Sequence, residues 1–441
     1  MKNWRVAALT LGCKVNHYET DALLAGFRRQ GLTVVPFSEE ADIYLINTCT
    51  VTSEAGRKSA QMIRRARRRN PAALIVAVGC HVEAAEKLPE ADLWISNSGK
   101  PGLVDRVLRC LAGDGDERAP AAATAATTLT AAARDYLDFA PFAEQSETRA
   151  VVKIQDGCDR FCSYCIIPLV RGPARSRPAA AVLDEGRRLV AAGYRELVLT
   201  GIHLNSYGRE GGTGLGELLQ AVDRLPGLER LRLGSLDPAA VDEDFALALK
   251  TLTKLCPHFH LSLQSGSAAV LERMHRPYTP DEYRLAAERL RNCRPEEVSL
   301  TTDVIVGFPG ETEAEHLSSL AFCRELGFAR MHVFRYSARP GTAAACFPDA
   351  VPEALKSRRA GEMQELAREL WQGRLGRLAG RSDQLLLEEQ RADGVWLGYG
   401  LAYDALELEC DSGELEAGRL LTVRHEGVTG RDPGRALVMA Q

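Results

Sequence analysis

The sequence predicts an α/β chain in three parts: an N-terminal parallel sheet, a partial (β/α)6 barrel and a small C-terminal β-barrel. Short apolar runs alternate with helical patterns along the first part of the chain, which implies parallel strands joined by crossover helices. Six further apolar runs follow an alanine-rich stretch, most of them again separated by helices. Six repeats suggest an open β/α barrel, because the closed form needs eight. Beyond residue 378 the pattern changes to short strands broken by glycine turns, the habit of a small β-barrel.

In the first part, residues 6–11, 43–47 and 74–78 read as buried strands, and 18–29 and 54–69 as helices. Residues 113–133 are rich in Ala and Thr, show no repeating apolar face, and read as a linker. In the second part the strands fall at 150–154, 196–200, 230–233, 259–263, 300–306 and 331–336, with helices such as 179–192 and 312–326. Residues 352–377 read as one long helix with Leu355, Leu366, Leu370 and Leu375 on a rough apolar stripe. The last strands are expected at 384–388, 395–398, 405–409, 420–424 and 436–439.

Of 441 residues, 45% are hydrophobic and 26% charged, the balance of a soluble globular protein with a sizeable core. A net charge of -4 gives no global attraction to nucleic acid, so RNA contact needs local basic patches. The N-terminus leads straight into a strand pattern, and no apolar run is long enough for a membrane span, so a cytoplasmic chain without membrane attachment is expected. Twelve cysteines in such a setting favour metal or redox work over disulfides.

Three of them, Cys158, Cys162 and Cys165, stand on one short loop with spacing C-x3-C-x2-C. A 4Fe–4S cluster takes four thiolates. Three leave one iron open to bind a reactant. A zinc site completed from elsewhere is the plainer alternative, but no His lies near the loop.

Cys13, Cys49 and Cys80 are far apart in sequence, yet each follows a predicted strand. Parallel strands would open all three loops on one carboxyl edge, where ligands bind in doubly wound folds. Gly12 and Gly79 would allow close approach of a bulky group. A second cluster with an open iron fits this placement, as does simple packing of small cysteines at strand ends. Cys110, Cys256, Cys293, Cys323, Cys346 and Cys410 show no ligand spacing and read as core or surface residues.

With these motifs in hand, the chain resembles the radical SAM methylthiotransferase family. The resemblance rests on Leu11-Gly12-Cys13-Lys14-Val15-Asn16, on Asn47-Thr48-Cys49-Thr50-Val51-Thr52, and on Gly157-Cys158 through Tyr164-Cys165 into Ile166-Ile167-Pro168. Cys13-Lys14-Val15-Asn16, Cys49-Thr50-Val51-Thr52, Gly201-Ile202-His203-Leu204 and Tyr336 through Thr342 are similar to the threonylcarbamoyladenosine branch, the MtaB-like one. His17 stands where that branch often has Gln, and His81-Val82-Glu83 replaces its usual aromatic-Ala-Gln after the third cysteine. The resemblance implies a Rossmann-like methylthiotransferase domain over 1–112, a linker over 113–146, a radical SAM domain over 147–378 and a TRAM domain over 379–441.

The resemblance further implies two 4Fe–4S clusters and S-adenosylmethionine (SAM). Cys158, Cys162 and Cys165 would hold the cluster that binds SAM and yields the 5′-deoxyadenosyl radical. Cys13, Cys49 and Cys80 would hold the auxiliary cluster where the delivered sulfur sits. Gly201, Gln264, Ser265, Gly307 and Pro309 lie in loops after predicted barrel strands and would contact SAM, although each loop also reads as a tight turn. No residue stands out as an acid or base catalyst, as expected for attack on an unreactive C–H bond. The implied activity is methylthiolation of C2 of N6-threonylcarbamoyladenosine beside the tRNA anticodon, with a flavodoxin- or ferredoxin-like electron donor and a sulfur donor. The rivals are N6-isopentenyladenosine in tRNA, a ribosomal-protein aspartate, and a non-catalytic zinc-containing RNA-binding module.

For RNA contact, Arg57, Lys58, Arg64, Arg65, Arg67, Arg68 and Arg69 crowd one helix, and Arg171, Arg175 and Arg177 follow the cysteine loop. Residues 379–441 hold six Arg against twelve Asp and Glu. That acidity either restricts RNA binding to a face with Arg424, Arg431 and Arg435 or leaves the barrel to orient its neighbours.

Overall fold

A computed structural model describes residues 3–84, 90–113, 136–294, 297–409, 415–428 and 436–440. Most of the expected linker lies outside these residues. The first unit runs β1 (Arg5–Thr10), α1 (Lys14–Arg29), β2 (Thr33–Val35), β3 (Ile43–Thr48), α2 (Ser53–Arg69), β4 (Leu74–Gly79), α3 (Cys80–Ala84), β5 (Leu93–Ile95) and α4 (Leu103–Ala112). Its five strands are parallel in the order β2-β1-β3-β4-β5. Every side chain of β3 and β4 is buried, as the continuous apolar runs of a doubly covered parallel sheet require. The short edge strands β2 and β5 carry too few apolar residues to be read from sequence. Helix α1 starts at Lys14, four residues before the predicted start, with Cys13 at its N-cap.

The second unit runs β6 (Ala150–Lys153), β7 (Gln155–Asp156), α5 (Ile167–Arg171), β8 (Arg175–Ser176), α6 (Ala179–Ala191), β9 (Glu196–Thr200), α7 (Leu215–Asp223), β10 (Arg230–Leu233), β11 (Ser235–Leu236), α8 (Glu243–Lys250), β12 (His258–Leu261), α9 (Ala268–Arg273), α10 (Pro280–Arg291), β13 (Ser299–Val306), α11 (Glu313–Leu326), β14 (Arg330–Arg335) and α12 (Glu353–Leu378). Parallel sheets β6-β9-β10 and β11-β12-β13-β14 meet where Gly234 separates β10 from β11, which gives an open β/α barrel. Alternate side chains of these strands, among them Val152, Leu197, Leu231, Phe259 and Val304, join the main core under the helices. The opposite, concave face at β6 and β9 is covered by the first unit: Tyr18 and Ala22 of α1 pack on Val151 and Val198. Strand β12 ends at Leu261 rather than at the expected residue 263. The Leu263 N–H is taken by the Thr302 hydroxyl at 3.0 Å instead of a ladder bond, and Gln264 turns left-handed at φ 71°.

The last unit is a closed barrel of β15 (Ser382–Gln390), β16 (Trp396–Tyr399), β17 (Ala405–Leu408), β18 (Leu420–Val428) and β19 (Ala436–Ala440) in the order β15-β16-β17-β19-β18. Arg374 of α12 forks onto Asp404 at 2.7 and 2.8 Å, Arg149 meets Glu388 at 2.6 Å, and Arg232 reaches the Leu401 carbonyl at 3.2 Å. These buried links fix the acidic barrel to the second unit. No helix among the described residues is long and apolar enough to cross a membrane.

Candidate active site

Cys13, Cys49 and Cys80 follow β1, β3 and β4, three neighbouring strands of one sheet, so their loops open side by side. Gly12 has φ +102°, and a Cβ there would stand 2.9 Å from both Cβ and Sγ of Cys49. Only glycine lets these two loops come together. Asn16 ties them further: its Nδ2 donates to the Leu11 carbonyl at 2.8 Å and to the Thr48 carbonyl at 3.1 Å. Ser59 Oγ accepts the Cys49 N–H at 3.2 Å. Cys49 and Cys80 are buried, while Cys13 keeps solvent access. Desolvation nevertheless pushes the Cys13 thiol up, against the pull of Arg171.

The other three cysteines lie between β7 and α5. Antiparallel pairing of β7 with β8 pinches the base of their loop. Gly157 sits at the pinch with φ +72°, and a Cβ there would fall 1.8 Å from the Pro173 carbonyl oxygen. Ser163 pins the tip, its N–H donating to the Met274 carbonyl at 3.0 Å and its hydroxyl to the Arg273 carbonyl at 2.8 Å. Arg276 donates to Cys162 Sγ at 3.2 Å and the Arg160 N–H to Cys158 Sγ at 3.5 Å. Burial raises the Cys158 thiol and takes Cys165 up to about 12. Thiols so placed ionise readily only when a cation balances them. The described cysteines are all free. All-thiolate donors on two loop sets, with N–H groups aimed at Cys158 and Cys162 in the second, fit iron–sulfur clusters.

The two sets are neighbours. Cys80 packs with Ile166 and Val170 of the α5 region, which leads away from the second set. Arg171, at the end of α5, donates to Glu19 Oε1 at 2.9 Å, Asp156 Oδ1 at 3.0 Å and Asn16 Oδ1 at 2.6 Å. Lys153 joins Glu19 and Asp156 at 2.7 Å each, and Lys100 also bonds Glu19. This buried cluster corrects one expectation. Arg171 and Arg177 are buried among carboxylates, Arg177 on Asp138 and Glu185, and Arg175 bonds the Arg171 carbonyl. All three brace the loop, and Arg171 and Arg177 are too enclosed to reach RNA.

The other expected residues lie at the carboxyl ends of barrel strands. Gly201 follows β9, and a Cβ there would stand 2.9 Å from Gln155 Oε1. Gln264 follows β12 in its left-handed turn. The Ser265 hydroxyl is 1% exposed and already engaged, by Ser319 at 3.0 Å and the Ser267 N–H at 3.2 Å. Gly307 and Pro309 follow β13, and the Gly307 N–H donates to Glu311 at 2.6 Å. Sequence reasoning missed Asn16, Arg171 and Arg276 as site-shaping residues. A lone Arg closing the apolar run Ile166 to Val170 was the available signal for Arg171. Asp237 was also missed. Burial would raise its carboxyl, but His203, Arg276 and Arg160 hold it at about 2.

Residues 5–96 match the family described as Uncharacterized protein family UPF0004, and residues 152–323 match the Radical SAM superfamily. The chain is 34% identical over 434 residues to the threonylcarbamoyladenosine tRNA methylthiotransferase MtaB of Thermotoga maritima, covering 97% of this chain and 96% of that one. The chain belongs to the radical SAM methylthiotransferase family, in its MtaB-like branch. The MtaB of Bacillus subtilis is 38% identical over 83% of this chain and 80% of its own. A tRNA-2-methylthio-N(6)-dimethylallyladenosine synthase of Clostridium novyi is 31% identical over 88% and 86%. In fold, the chain is similar to the radical SAM methyltransferase TsrM of Kitasatospora setae with cobalamin and a 4Fe–4S cluster bound, at TM-score 0.58 and 16% identity over 78% of this chain and 77% of that one. As a member of this family the chain is a radical SAM enzyme whose cofactors are iron–sulfur and SAM.

Proposed function

We propose that this enzyme methylthiolates C2 of N6-threonylcarbamoyladenosine beside the anticodon of tRNA. The observation that carries the reading is the meeting of two cysteine triads through α5, because a sulfur source and a radical source must act on one base. In this reading Cys158, Cys162 and Cys165 hold the first 4Fe–4S cluster and Cys13, Cys49 and Cys80 the second. When bound, the first supplies the electron that cleaves SAM and the second the sulfur that is delivered. The residues around them orient and enclose. Arg276 and the Arg160 N–H stabilise thiolate charge on Cys162 and Cys158. Gly201, Gln264, Gly307 and Pro309 line the SAM cleft, with Ser265 shaping the turn beside it. The domain boundaries follow the same reading, at 1–112, 147–378 and 379–441 around a linker. An electron donor and a sulfur donor complete the cycle.

The MtaB relatives support the tRNA substrate, and two of them match at higher identity than the dimethylallyladenosine synthase. Mass spectrometry of tRNA nucleosides from cells with and without the gene tests the proposal. Loss of 2-methylthio-N6-threonylcarbamoyladenosine in the deletion is expected. Loss of the methylthiolated isopentenyl nucleoside instead would contradict it.

A further inference from the structure

The concave face of the barrel carries a polar cluster that neither cysteine triad uses. Phe259 and Leu261 of β12, Leu300 and Val304 of β13, and Met331 and Val333 of β14 pack with the main core. Strand alternation therefore turns His260, Asp303 and His332 into the lumen. Ligand atoms of these three residues lie within 4.8 Å of one another. His260 Nε2 stands 3.4 Å from Asp303 Oδ2, and its Nδ1 bonds Thr301 Oγ1 at 3.0 Å.

Helix α1 enters the same lumen with Lys14, the residue after Cys13. The Lys14 ammonium lies 5.9 Å from the centre of the Tyr403 ring, which itself packs on His258 at 4.7 Å. Its cationic neighbours Arg149 and Arg232 have carboxylate partners, Glu388 and Glu196. Among the described residues Lys14 has none. The lumen thus holds an ammonium with no directly paired carboxylate among the described residues, within electrostatic reach of His332 and of Glu196.

We propose that this cluster is the subsite for the N6-threonylcarbamoyl group: Lys14 and His332 receive its carboxylate, and Asp303 accepts from its carbamoyl N–H or its hydroxyl. The inference rests on the threonylcarbamoyladenosine reading and deepens it. Two histidines and a carboxylate are also the donor set of a divalent-metal site. Here the Lys14 ammonium acts on both His258 and His332, so a further cation is repelled while a carboxylate is attracted. Because Lys14 follows Cys13, a group held at Lys14 brings its adenine beside the Cys13 loop. An apolar isopentenyl group would leave the Lys14 ammonium without an anionic partner.

The test uses anticodon stem-loop RNAs that differ only at N6: threonylcarbamoyladenosine, its carboxyl-capped methylamide, and plain adenosine. Equilibrium binding to the cluster-loaded full-length enzyme is measured. Wild type should prefer the acid to the amide by about tenfold, the range of one charged hydrogen bond. Lys14→Met should abolish that preference, and Lys14→Arg should keep most of it. A Lys14→Met enzyme that still prefers the acid, or a wild type that prefers both modified loops to adenosine but ignores the capping, overturns the subsite alone. A wild type that binds all three loops equally overturns the subsite and the substrate reading together.

Discussion

The Arg171 guanidinium donates to the Glu19 carboxylate at 2.9 Å, and both side chains are fully enclosed. Glu19 lies on α1, which starts beside Cys13. Arg171 ends α5, which starts beside Cys165. One ion pair thus sets the position of one cysteine triad against the other. Burial alone would raise the Glu19 carboxyl, but Arg171, Lys100 and Lys153 hold it well below the usual range.

Arg171→Met leaves Glu19 and Asp156 short of a partner in a buried site. Breaking such a pair from one side costs about 3–5 kcal/mol. The thermal midpoint should fall clearly, and Arg171→Lys should recover only part of it, because an ammonium cannot fork onto two carboxylates and Asn16 at once. An unchanged midpoint in Arg171→Met would show that the cluster does not hold the two units together.

Acid should loosen the barrel at β9. Burial would raise the Glu196 carboxyl, but Arg232 and Arg230 bring it down to about 2, against an ordinary value of about 4.3. A depressed folded value adds stability that is complete above the ordinary value and is lost as pH falls through about 4 toward 2. Glu196→Gln should flatten the pH dependence of unfolding in that window and lower stability at neutral pH. An unchanged slope between those values would contradict the assignment.

Gly12→Ala tests the loop geometry of the first triad. Its Cβ would meet Cys49 at 2.9 Å from a left-handed backbone. Cys49 must shift, so iron after anaerobic reconstitution should fall from about eight atoms toward about four. Full iron retention would mean that Cys49 is not a ligand.

Much of this was legible in the sequence because local pattern and fold agree. Continuous apolar runs marked β3 and β4, and Cys49 and Cys80 stand directly after them as expected. The start of α1 was not legible. Cys13 to Asn16 reads as a loop motif, yet α1 already begins at Lys14, and Asn16 anchors that first turn to the carbonyls of Leu11, just past β1, and Thr48, at the end of β3. Arg171 looked like an RNA ligand because charge in a sequence carries no sign of burial. Its partners come from Glu19, 152 positions away, and from Asp156. The basic helix α2 was read in part. Arg64 and Arg67 are taken by Glu90 and Asp92, and Arg69 by the Phe37 carbonyl, while Arg57, Lys58, Arg65 and Arg68 are exposed. In the last barrel Arg424 is exposed, and Arg431 and Arg435 lie outside the described residues.

That division of α2 predicts which arginines meet tRNA. Replacing Arg57, Lys58, Arg65 and Arg68 by Gln should weaken tRNA binding and reduce its salt slope by up to about 3, roughly 0.7 to 0.9 for each phosphate no longer neutralised. Arg67→Gln should instead lower stability, with little change in slope. Equal salt slopes for wild type and the fourfold variant would remove α2 from the RNA interface.

In the proposed reaction the two triads divide the work between radical formation and sulfur delivery. The most direct measurement is on the Cys13→Ala, Cys49→Ala, Cys80→Ala triple variant, reconstituted anaerobically and given SAM, reductant and threonylcarbamoyladenosine tRNA. That variant should hold about four iron atoms per chain, continue to release 5′-deoxyadenosine, and form no methylthiolated nucleoside. Full iron content, or loss of 5′-deoxyadenosine together with the product in a folded protein, would contradict this division.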